Sequence, residues 1–391
     1  MYIHYNSIKL KRNELILFFL LIPFFEPLLF KTTHYSSIDK IYSILKIIVL
    51  FIIVLQYLKE RILTKCVSRY TEIIVGMEMI IIFSTIVNNG DIVKCMGPMT
   101  STIALVLITE LYTAKCKINF VRIVRNLLGL LFFINFILQL KYPTGILDGT
   151  NFLGIDNRLI FFYLPLLFCS LIYDVYLKNK ISMISLVIFF ISMWSLLSLW
   201  AVGGFIGLFL MIIPMIFGKM LSEHFKLDMN KMIIVIILLN VMIVFFQFQN
   251  YFEDFITVYL KKDVTLSGRS ILWNYAKKSI LEYPILGFGI QNNTFLRKLY
   301  RWVLHPHNLF LNYLTTSGIV GFVFYIWSLF YMGNNSNLIK NKMIRYISIF
   351  TVFSILILSI ADTLDSSIFF MIFSFINLYH KEIELEDCKI I

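Results

Sequence analysis

Long apolar runs alternate with short polar segments along almost the whole chain. Most runs hold roughly 20 residues, enough for a helix rising about 1.5 Å per residue to cross about 30 Å of hydrocarbon. We predict twelve spans, with approximate limits 14–30, 41–58, 71–87, 94–113, 122–140, 159–177, 181–199, 203–219, 232–250, 308–331, 344–361 and 366–380. Irregular backbone cannot satisfy its polar groups against lipid. The pattern therefore indicates an all-α integral membrane protein of about twelve transmembrane helices.

The composition agrees with a membrane protein and leaves little sequence for any other domain. Of the 391 residues, 59% are hydrophobic and 15% are charged, whereas soluble domains are about half apolar and about a quarter charged. We therefore predict a single membrane domain over 1–391. The net charge of +12 does not indicate nucleic acid binding, because most Lys and Arg residues lie between spans, where they set topology.

The distribution of basic residues predicts the orientation of the chain. Twenty-one Lys and Arg residues fall in the alternate segments that include both ends of the chain, against five in the short segments of the other side. Short loops rich in basic residues stay on the cytoplasmic side. We therefore predict a plasma-membrane protein with both termini in the cytoplasm, which requires an even number of spans.

The segment 251–307 is the longest polar stretch between two spans. The predicted topology places it outside the cytoplasm, yet it carries eight basic and four acidic residues. Long loops are translocated despite their charge, so the predicted topology stands. The basic excess indicates an anionic ligand on this face, and we treat 251–307 as the candidate catalytic loop.

Two short amphipathic helices are predicted in this loop. The first begins at Arg269, has apolar residues at helical spacing, and ends at Pro284. Gly287-Phe288-Gly289 predicts a tight turn. A second amphipathic stretch has apolar residues from Phe295 to Val303. Helices of this kind lie along the headgroup layer of a membrane.

Three arginines of the loop are candidate contacts for a phosphorylated ligand. Arg297 and Arg301 are four residues apart and share one side of the second helix, so two guanidinium groups are placed to hold a diphosphate. A basic helix that binds lipid headgroups would show the same spacing. Arg269 stands at a helix start, where backbone N–H groups add to an anion site; the alternative is an ordinary surface arginine.

Two histidines lie where the loop returns to the membrane, in His305-Pro306-His307-Asn308. An imidazole titrates near neutral pH and can accept the proton of a sugar hydroxyl, so His307 is a candidate base; a structural histidine is the alternative. Asn308 either orients His307 or caps the next helix. The two histidines supply two metal ligands, and no carboxylate or cysteine cluster nearby in the sequence completes a set, so no metal is predicted.

Several charged residues lie within the predicted spans or at their outer ends. Glu26, Lys46 and Glu78 belong to the spans, and charged residues in such positions usually face a cavity or each other. Asp362 and Arg158 lie in outer segments. These two residues either line a sugar-binding cleft or serve helix ends and turns.

Three short motifs resemble the O-antigen ligase and polymerase superfamily. They are Gly268-Arg269-Ser270-Ile271-Leu272-Trp273, then Tyr283-Pro284-Ile285-Leu286-Gly287-Phe288-Gly289, then His307-Asn308-Leu309-Phe310-Leu311 continuing to Gly318-Ile319-Val320-Gly321. They follow the family's order within a long loop between late spans. The resemblance covers roughly residues 265–325.

The resemblance implies a fold and a set of site residues. It implies an α-helical glycosyltransferase that uses polyisoprenyl-phosphate donors without a metal or other cofactor. The family's loop histidine corresponds to His307 and activates the acceptor hydroxyl, and its motif arginine corresponds to Arg269 and contacts diphosphate. Many relatives carry a further arginine near the outer turn between the seventh and eighth spans. Here that turn, 199–204, has none, and Arg158 is the candidate to supply the charge.

On this resemblance we expect a polymerase of undecaprenyl-diphosphate-linked oligosaccharide repeat units for a capsular or other surface polysaccharide. The site residues are expected to be His307 as catalytic base, with Arg269, Arg297, Arg301, Asn308, His305 and Arg158 as substrate contacts. The expected partners are lipid-linked glycans and membrane lipid, with a flippase and a chain-length regulator as candidate protein partners and no nucleic acid.

Three alternatives remain at this point. A ligase of the same superfamily would transfer finished glycan to a lipid or protein acceptor. A polysaccharide transporter or flippase would show charges along the spans and two-fold hydropathy symmetry, whereas the polar chemistry here is concentrated in one loop. A structural membrane protein whose loop binds headgroups would depend on the charge of the loop and not on His307.

Overall fold

The structure is a computed structural model that describes residues 13–64, 68–147, 149–248, 251, 268–301, 303–363 and 367–381. Within these ranges the secondary structure is helical, apart from a single bridge between Leu147 and Thr150. The helices are α1 (Asn13–Phe25), α2 (Ser36–Thr64), α3 (Arg69–Val87), α4 (Ile92–Thr113), α5 (Lys117–Lys141), α6 (Ile160–Lys178), α7 (Met183–Ser198), α8 (Val202–Phe209), α9 (Ile212–His224), α10 (Met229–Val244), α11 (Arg269–Glu282), α12 (Asn293–Tyr300), α13 (Leu309–Asn337), α14 (Lys342–Ala361) and α15 (Ser367–Tyr379).

The helices confirm the prediction of an all-α, multi-pass membrane protein. Among the described residues, eight helical segments are long and apolar enough to cross a membrane, and four shorter apolar helices accompany them: α1, α7, α10 and α15. Each of the twelve predicted runs corresponds to one of these segments. Residues 252–267 and 302 of the predicted loop lie outside the described residues, as do both chain ends.

The helix bounds depart from several of the predicted limits, and three of the runs show how. The first helix ends at Phe25 rather than at residue 30, because Pro27 forces Glu26 into an extended conformation (ψ 123°). The eighth run consists of two consecutive helices, α8 and α9. The ninth helix ends at Val244 rather than at residue 250.

The centre of the bundle is α6. In its span, 89% of residues are buried, against 11% in the span formed by α2. The exposed side of α2 is apolar and includes Ile44, Ile47 and Phe51. A helix whose exposed face is apolar suits contact with lipid rather than with water, so α2 lies at the lipid-facing edge and α6 in the interior.

The segments assigned to the outer side by their low basic content meet at one end of the bundle, here called the site end. Asp91, between α3 and α4, donates its backbone N–H to the carbonyl of Ile290 in the long loop at 2.8 Å. Gly204 of α8 donates its N–H to the side chain of Asn157 at 2.9 Å.

The segments assigned to the cytoplasmic side meet at the opposite end. Lys117 at the start of α5 donates to the carbonyl of Tyr379 at 2.8 Å, and Met229 at the start of α10 donates its N–H to Asn337 at 3.0 Å. The alternation of segments between two ends agrees with the predicted topology. The assignment of the site end to the outside of the cell stays a prediction.

The long loop inserts into a break in α13. At Gly318 the helix leaves α geometry (φ 60°, ψ −164°), which frees carbonyl groups of the preceding turn. Phe288 and Gly289 donate their N–H groups to the carbonyls of Thr315 and Thr316 at 2.8 and 3.0 Å. Irregular backbone inside a membrane bundle needs such partners, so the loop and the broken helix satisfy each other.

The turn lies earlier than predicted: the N–H of Gly287 donates to the carbonyl of Tyr283 at 3.1 Å, which closes a turn over 284–286. Residues 287–289 are irregular backbone, and the two glycines are required by close packing. Both glycines have positive φ, 68° and 73°. A Cβ on Gly287 would lie 2.5 Å from the carbonyl oxygen of Thr315, and one on Gly289 would lie 2.7 Å from the backbone nitrogen of Thr85. The glycines therefore allow the loop backbone to lie directly against α13 and α3.

Candidate active site

The two histidines lie between α12 and α13 at the site end. Their ring centroids are 4.2 Å apart. His307 adopts a left-handed conformation with φ 49°, which is strained for a residue other than glycine and recurs at functional sites.

The position of His307 is fixed by its neighbour Asn308, whose side chain makes hydrogen bonds to both α13 and α14. Its side-chain oxygen accepts the N–H of Leu311 at 2.9 Å, so it is the cap of α13. Its amide donates to the carbonyl of Ile360, near the end of α14, at 3.0 Å. The capping alternative is therefore the one that the structure shows, and Asn308 joins the start of α13 to the end of α14. A substrate contact by Asn308 stays a prediction.

The same arrangement places His307 beside Asp362, the residue that follows α14. Nδ1 of His307 lies 3.4 Å from Oδ1 of Asp362, which is an ion-pair distance longer than a hydrogen bond, and such contacts often shorten when substrate binds. Burial acts to raise the pKa of Asp362, but the contact with His307 and its positive charge, with Arg158 and His305, hold it below its usual value. Asp362 is therefore a carboxylate.

His305 is distinguished by a lowered pKa and by the cavity that it lines. Burial, the adjacent His307 and the cations Arg158 and Lys94 lower the pKa of His305 to about 4, against an opposing effect of Asp362. His305 is therefore neutral at physiological pH. It lines a cavity of about 280 Å³ between the loop and the helices α3, α4 and α13.

Arg269 and Arg158 approach this group from two other elements. Burial lowers the pKa of Arg269, and the charge of Asp362 opposes that effect, so the start of α11 lies within electrostatic range of the carboxylate. The positive charge of Arg158 lowers the pKa of both Asp362 and His305. The structure thus brings together His305, His307, Asp362, Arg269 and Arg158, here called the His–Asp–Arg cluster.

Arg158 also lies beside the outer turn in which the family's arginine is missing. The neighbouring Asn157 accepts the N–H of Gly204, at the start of α8, at 2.9 Å. The segment that carries Arg158 is therefore bound directly to that turn. This position supports, and does not prove, the prediction that Arg158 supplies the missing charge.

Arg297 and Arg301 lie on the other side of α12. The buried side of this helix consists of Leu296 and Tyr300, which line the 280 Å³ cavity, whereas both arginines are exposed. The guanidinium of Arg301 stacks 5.5 Å from the ring of Tyr275. Among the described residues, neither arginine contacts the His–Asp–Arg cluster. Their diphosphate role stays a prediction, and the headgroup alternative stays equally open.

A comparison with known proteins bears on this geometry. The profile of a family described as O-Antigen ligase matches residues 157–326. The match covers 170 of the 391 residues, and it supports a likeness to the O-antigen ligase and polymerase superfamily. It includes four members of the cluster, namely Arg158, Arg269, His305 and His307, and stops before Asp362. The carboxylate therefore comes from outside the matched segment.

A similar protein points the same way. A Rickettsia conorii protein, named as a candidate polysaccharide ligase, is 28% identical over 109 residues, which cover 25% of this chain and 26% of the relative. The match thus spans about a quarter of the length of that protein. No solved structure matches the chain.

Asp362 is the residue whose role the sequence did not reveal. It follows His307 by more than fifty positions, and only the pairing of α13 with α14 brings the two together. From the sequence we expected that no carboxylate completes a set of metal ligands with the two histidines. This expectation is wrong, because a carboxylate that is distant in the sequence lies beside them in the structure. Donor atoms of His305, His307 and Asp362 lie within 4.8 Å of one another.

These three donors meet the minimum for a divalent metal, but their surroundings oppose one. Catalytic zinc sites use three protein ligands and an open position. Here the charge of Arg158 acts on His305 and Asp362, and the charges of Arg269 and Asp362 interact, so two guanidinium groups would repel a cation at this place. Action without a metal stays a prediction.

Proposed function

We propose that this chain is a polymerase of undecaprenyl-diphosphate-linked repeat units for a capsular or other surface polysaccharide. The observation that carries the proposal is the pairing of His307 with Asp362 beside two arginines. A base next to fixed cations suits a transfer in which a hydroxyl attacks and a diphosphate leaves.

In the proposed reaction, the non-reducing end of a fresh repeat unit attacks the growing chain on its carrier. The acceptor oxygen bonds to the anomeric carbon of the donor sugar, and the bond from that carbon to the diphosphate oxygen breaks. Nε2 of His307 takes the hydroxyl proton, because Nδ1 faces Asp362. The carboxylate then stabilises the imidazolium, while Arg269 and Arg158 stabilise the charge that develops on the diphosphate.

The cavity beside the cluster suits sugar binding. Tyr313, Thr316, Gln291 and Glu78 are among its lining residues, and hydroxyl, amide and carboxylate groups are the usual partners of sugar hydroxyls. Its volume of about 280 Å³ accommodates part of an oligosaccharide. A flippase that supplies repeat units and a regulator of chain length are further proposed partners.

A ligase that transfers finished glycan to another acceptor is the second candidate. Both comparisons favour it by name, since the matching family is described as O-Antigen ligase and the Rickettsia relative as a polysaccharide ligase. The proposed chemistry at His307 is the same for both activities. The two differ in the acceptor and in the products that accumulate when the chain is inactive.

Replacement of His307 by Ala tests the proposal. The transfer rate should fall at least about 10²-fold because the base is lost, and cells should accumulate single lipid-linked repeats. Unattached long chains would instead identify a ligase. His224→Ala is a matched control, because His224 is exposed near the other end of the bundle. Normal polymer in the His307→Ala variant, at normal membrane levels, would refute the enzymatic proposal.

Replacement of arginine by lysine tests the diphosphate contact. Arg269→Lys and Arg158→Lys should each slow transfer about tenfold or more, because a point charge does not reproduce two parallel hydrogen bonds. Arg297→Lys and Arg301→Lys should have smaller effects, since both residues are exposed. Full activity in all four variants would remove the argument for a guanidinium clamp.

A further inference from the structure

A second cavity lies at the site end, on the other side of α4 from the His–Asp–Arg cluster. Its volume is about 770 Å³, and its walls come from α2, α4, α6, the start of α15 and the segment after α1; we name it the α2–α4 cavity. Lys94, Pro98 and Ser367 line both this cavity and the 280 Å³ cavity that contains His305. The two cavities therefore adjoin, and a long ligand can occupy both.

A buried carboxylate faces the α2–α4 cavity. Glu26 is only 4% exposed, and its Oε2 accepts from Nζ of Lys46 at 2.6 Å. Its other oxygen, Oε1, is buried and has no hydrogen-bond partner among the described residues. A buried carboxylate oxygen left without a donor is costly. A ligand that brings hydroxyl groups would remove this cost.

The rim of the cavity is apolar and exposed. Ile47 of α2 is 59% exposed, and Val93 of α4 is 86% exposed; both residues line the cavity. On the lipid-facing edge of the bundle, such a rim suits contact with acyl or isoprenyl chains. A polar interior behind an apolar rim fits a ligand with a membrane anchor and a hydrophilic head.

The charged residues of the cavity wall indicate which chemical groups the hydrophilic part of the ligand carries. Lys31, Lys46 and Lys94 face the cavity together with Glu26 and Asp39. The mixture of ammonium and carboxylate groups offers donors and acceptors for sugar hydroxyls, and the single excess cation suits a phosphate linked to the sugar.

We propose that the α2–α4 cavity binds the saccharide of a membrane-anchored acceptor and directs its end past Lys94 to His307. This inference rests on the proposed glycosyl transfer. Glu26 and Lys46 are binding residues in it, and they do not touch the reacting atoms. The donor diphosphate lies on the other side of α4, beside Arg269 and Arg158.

A paired replacement tests the role of the carboxylate. Glu26→Gln with Lys46→Met removes both charges, so neither ion is left buried alone. We expect the KM for lipid-linked repeat units, extracted from cells that lack this chain, to rise about tenfold, as expected for loss of hydrogen bonds to a charged group. The kcat of the full chain in bilayer discs should stay within about twofold, because the reacting groups are intact.

A matched pair serves as the control. Glu60→Gln with Lys115→Met removes the same two charges from a more exposed ion pair, 2.9 Å long, at the opposite end of the bundle. This control should leave KM unchanged. The cavity does not bind the acceptor if both paired variants change KM equally. The same conclusion follows if neither paired variant changes KM while His307→Ala is inactive. If His307→Ala remains active, the proposed transfer itself fails, so the two failures are distinguishable.

Obstruction of the cavity gives an independent test that does not alter any charge. Gly97 lies in α4 on the cavity wall, and a Cβ added there meets nothing within 4 Å. Gly97→Trp should therefore fold and fill part of the cavity, raising KM about tenfold or more, whereas Gly97→Ala should bind as the unaltered chain does. Equal KM values for the Trp and Ala variants would overturn the inference.

Discussion

Replacement of Asp362 by Asn should slow glycosyl transfer strongly while the protein remains folded. Asn keeps the shape of the side chain but removes the negative charge 3.4 Å from His307. The carboxylate has its largest effect when His307 becomes an imidazolium, because the two opposite charges then attract each other. The substitution therefore weakens the transition state more than the ground state.

The size of the effect follows from the distance. Two unit charges 3.4 Å apart attract by about 5 kcal/mol at an effective dielectric constant near 20. The side chains of His307 and Asp362 are 30% and 21% exposed, so solvent screens part of this attraction. We take about 3 to 4 kcal/mol as the loss, which corresponds to a fall in kcat of roughly 10²- to 10³-fold.

The assay is the formation of polymer from lipid-linked repeat units by the purified chain in bilayer discs. Glu282→Gln is the matched control, because it also removes an acidic residue from the loop, but from an exposed position at the end of α11. Its kcat should be unchanged. Thermal unfolding of Asp362→Asn should stay close to that of the unaltered protein, since the charge is only partly buried.

A double replacement decides whether Asp362 acts through His307. Groups that work as a unit are not additive, so Asp362→Asn should cost little further activity in a chain that already carries His307→Ala. If the two losses multiply instead, Asp362 acts on another group, such as Arg269. A kcat within threefold of normal for Asp362→Asn alone would refute the assigned role of the carboxylate.

Three further predictions concern the rest of the site end. Gly289→Ala should lower the free energy of unfolding by about 2 kcal/mol or more, because of its positive φ and the approach of Cβ to Thr85, whereas Gly97→Ala should be neutral or slightly stabilising in thermal unfolding. The pKa of His305 is about 4 in the folded protein and near 6.5 in the unfolded chain, so the unfolded state binds more protons between these two pH values. The free energy of unfolding should therefore fall by about 3 kcal/mol as the pH drops from about 6.5 to about 4. His305→Gln should remove this pH dependence. Treatment with EDTA should leave the transfer rate unchanged, and a loss restored by added Zn²⁺ would contradict action without a metal.

Much of the architecture could be predicted from the sequence, because hydropathy and basic residues report directly on the bilayer. The helical spans and the two loop helices appear where the pattern placed them, and the turn of the loop lies just before Gly287 rather than at 287–289. The limits of spans were less predictable. Pro27 ends the first helix early although the residues after it are apolar, since local backbone chemistry acts independently of hydropathy.

The candidate site could be predicted only in part. His307, Arg269 and Arg158 were proposed from motifs and loop charge, and the structure brings them together. Asp362 could not be assigned because its partnership depends on how α13 and α14 pack. Helical spacing predicted Arg297 and Arg301 on one side of α12, but the helix ends at Tyr300 and Arg301 follows it with φ 66°. Periodicity also does not say which side of a helix faces a cavity.

The break in α13 also determines how this scaffold could be re-engineered. The loop backbone near Phe288 and the helix turn before Gly318 complete each other's hydrogen bonds, so neither piece keeps its shape when paired with a foreign counterpart. A chimera that exchanges only the loop between two relatives would therefore be expected to lose expression. Transplanting residues 283–291 together with 313–321 would move one intact unit.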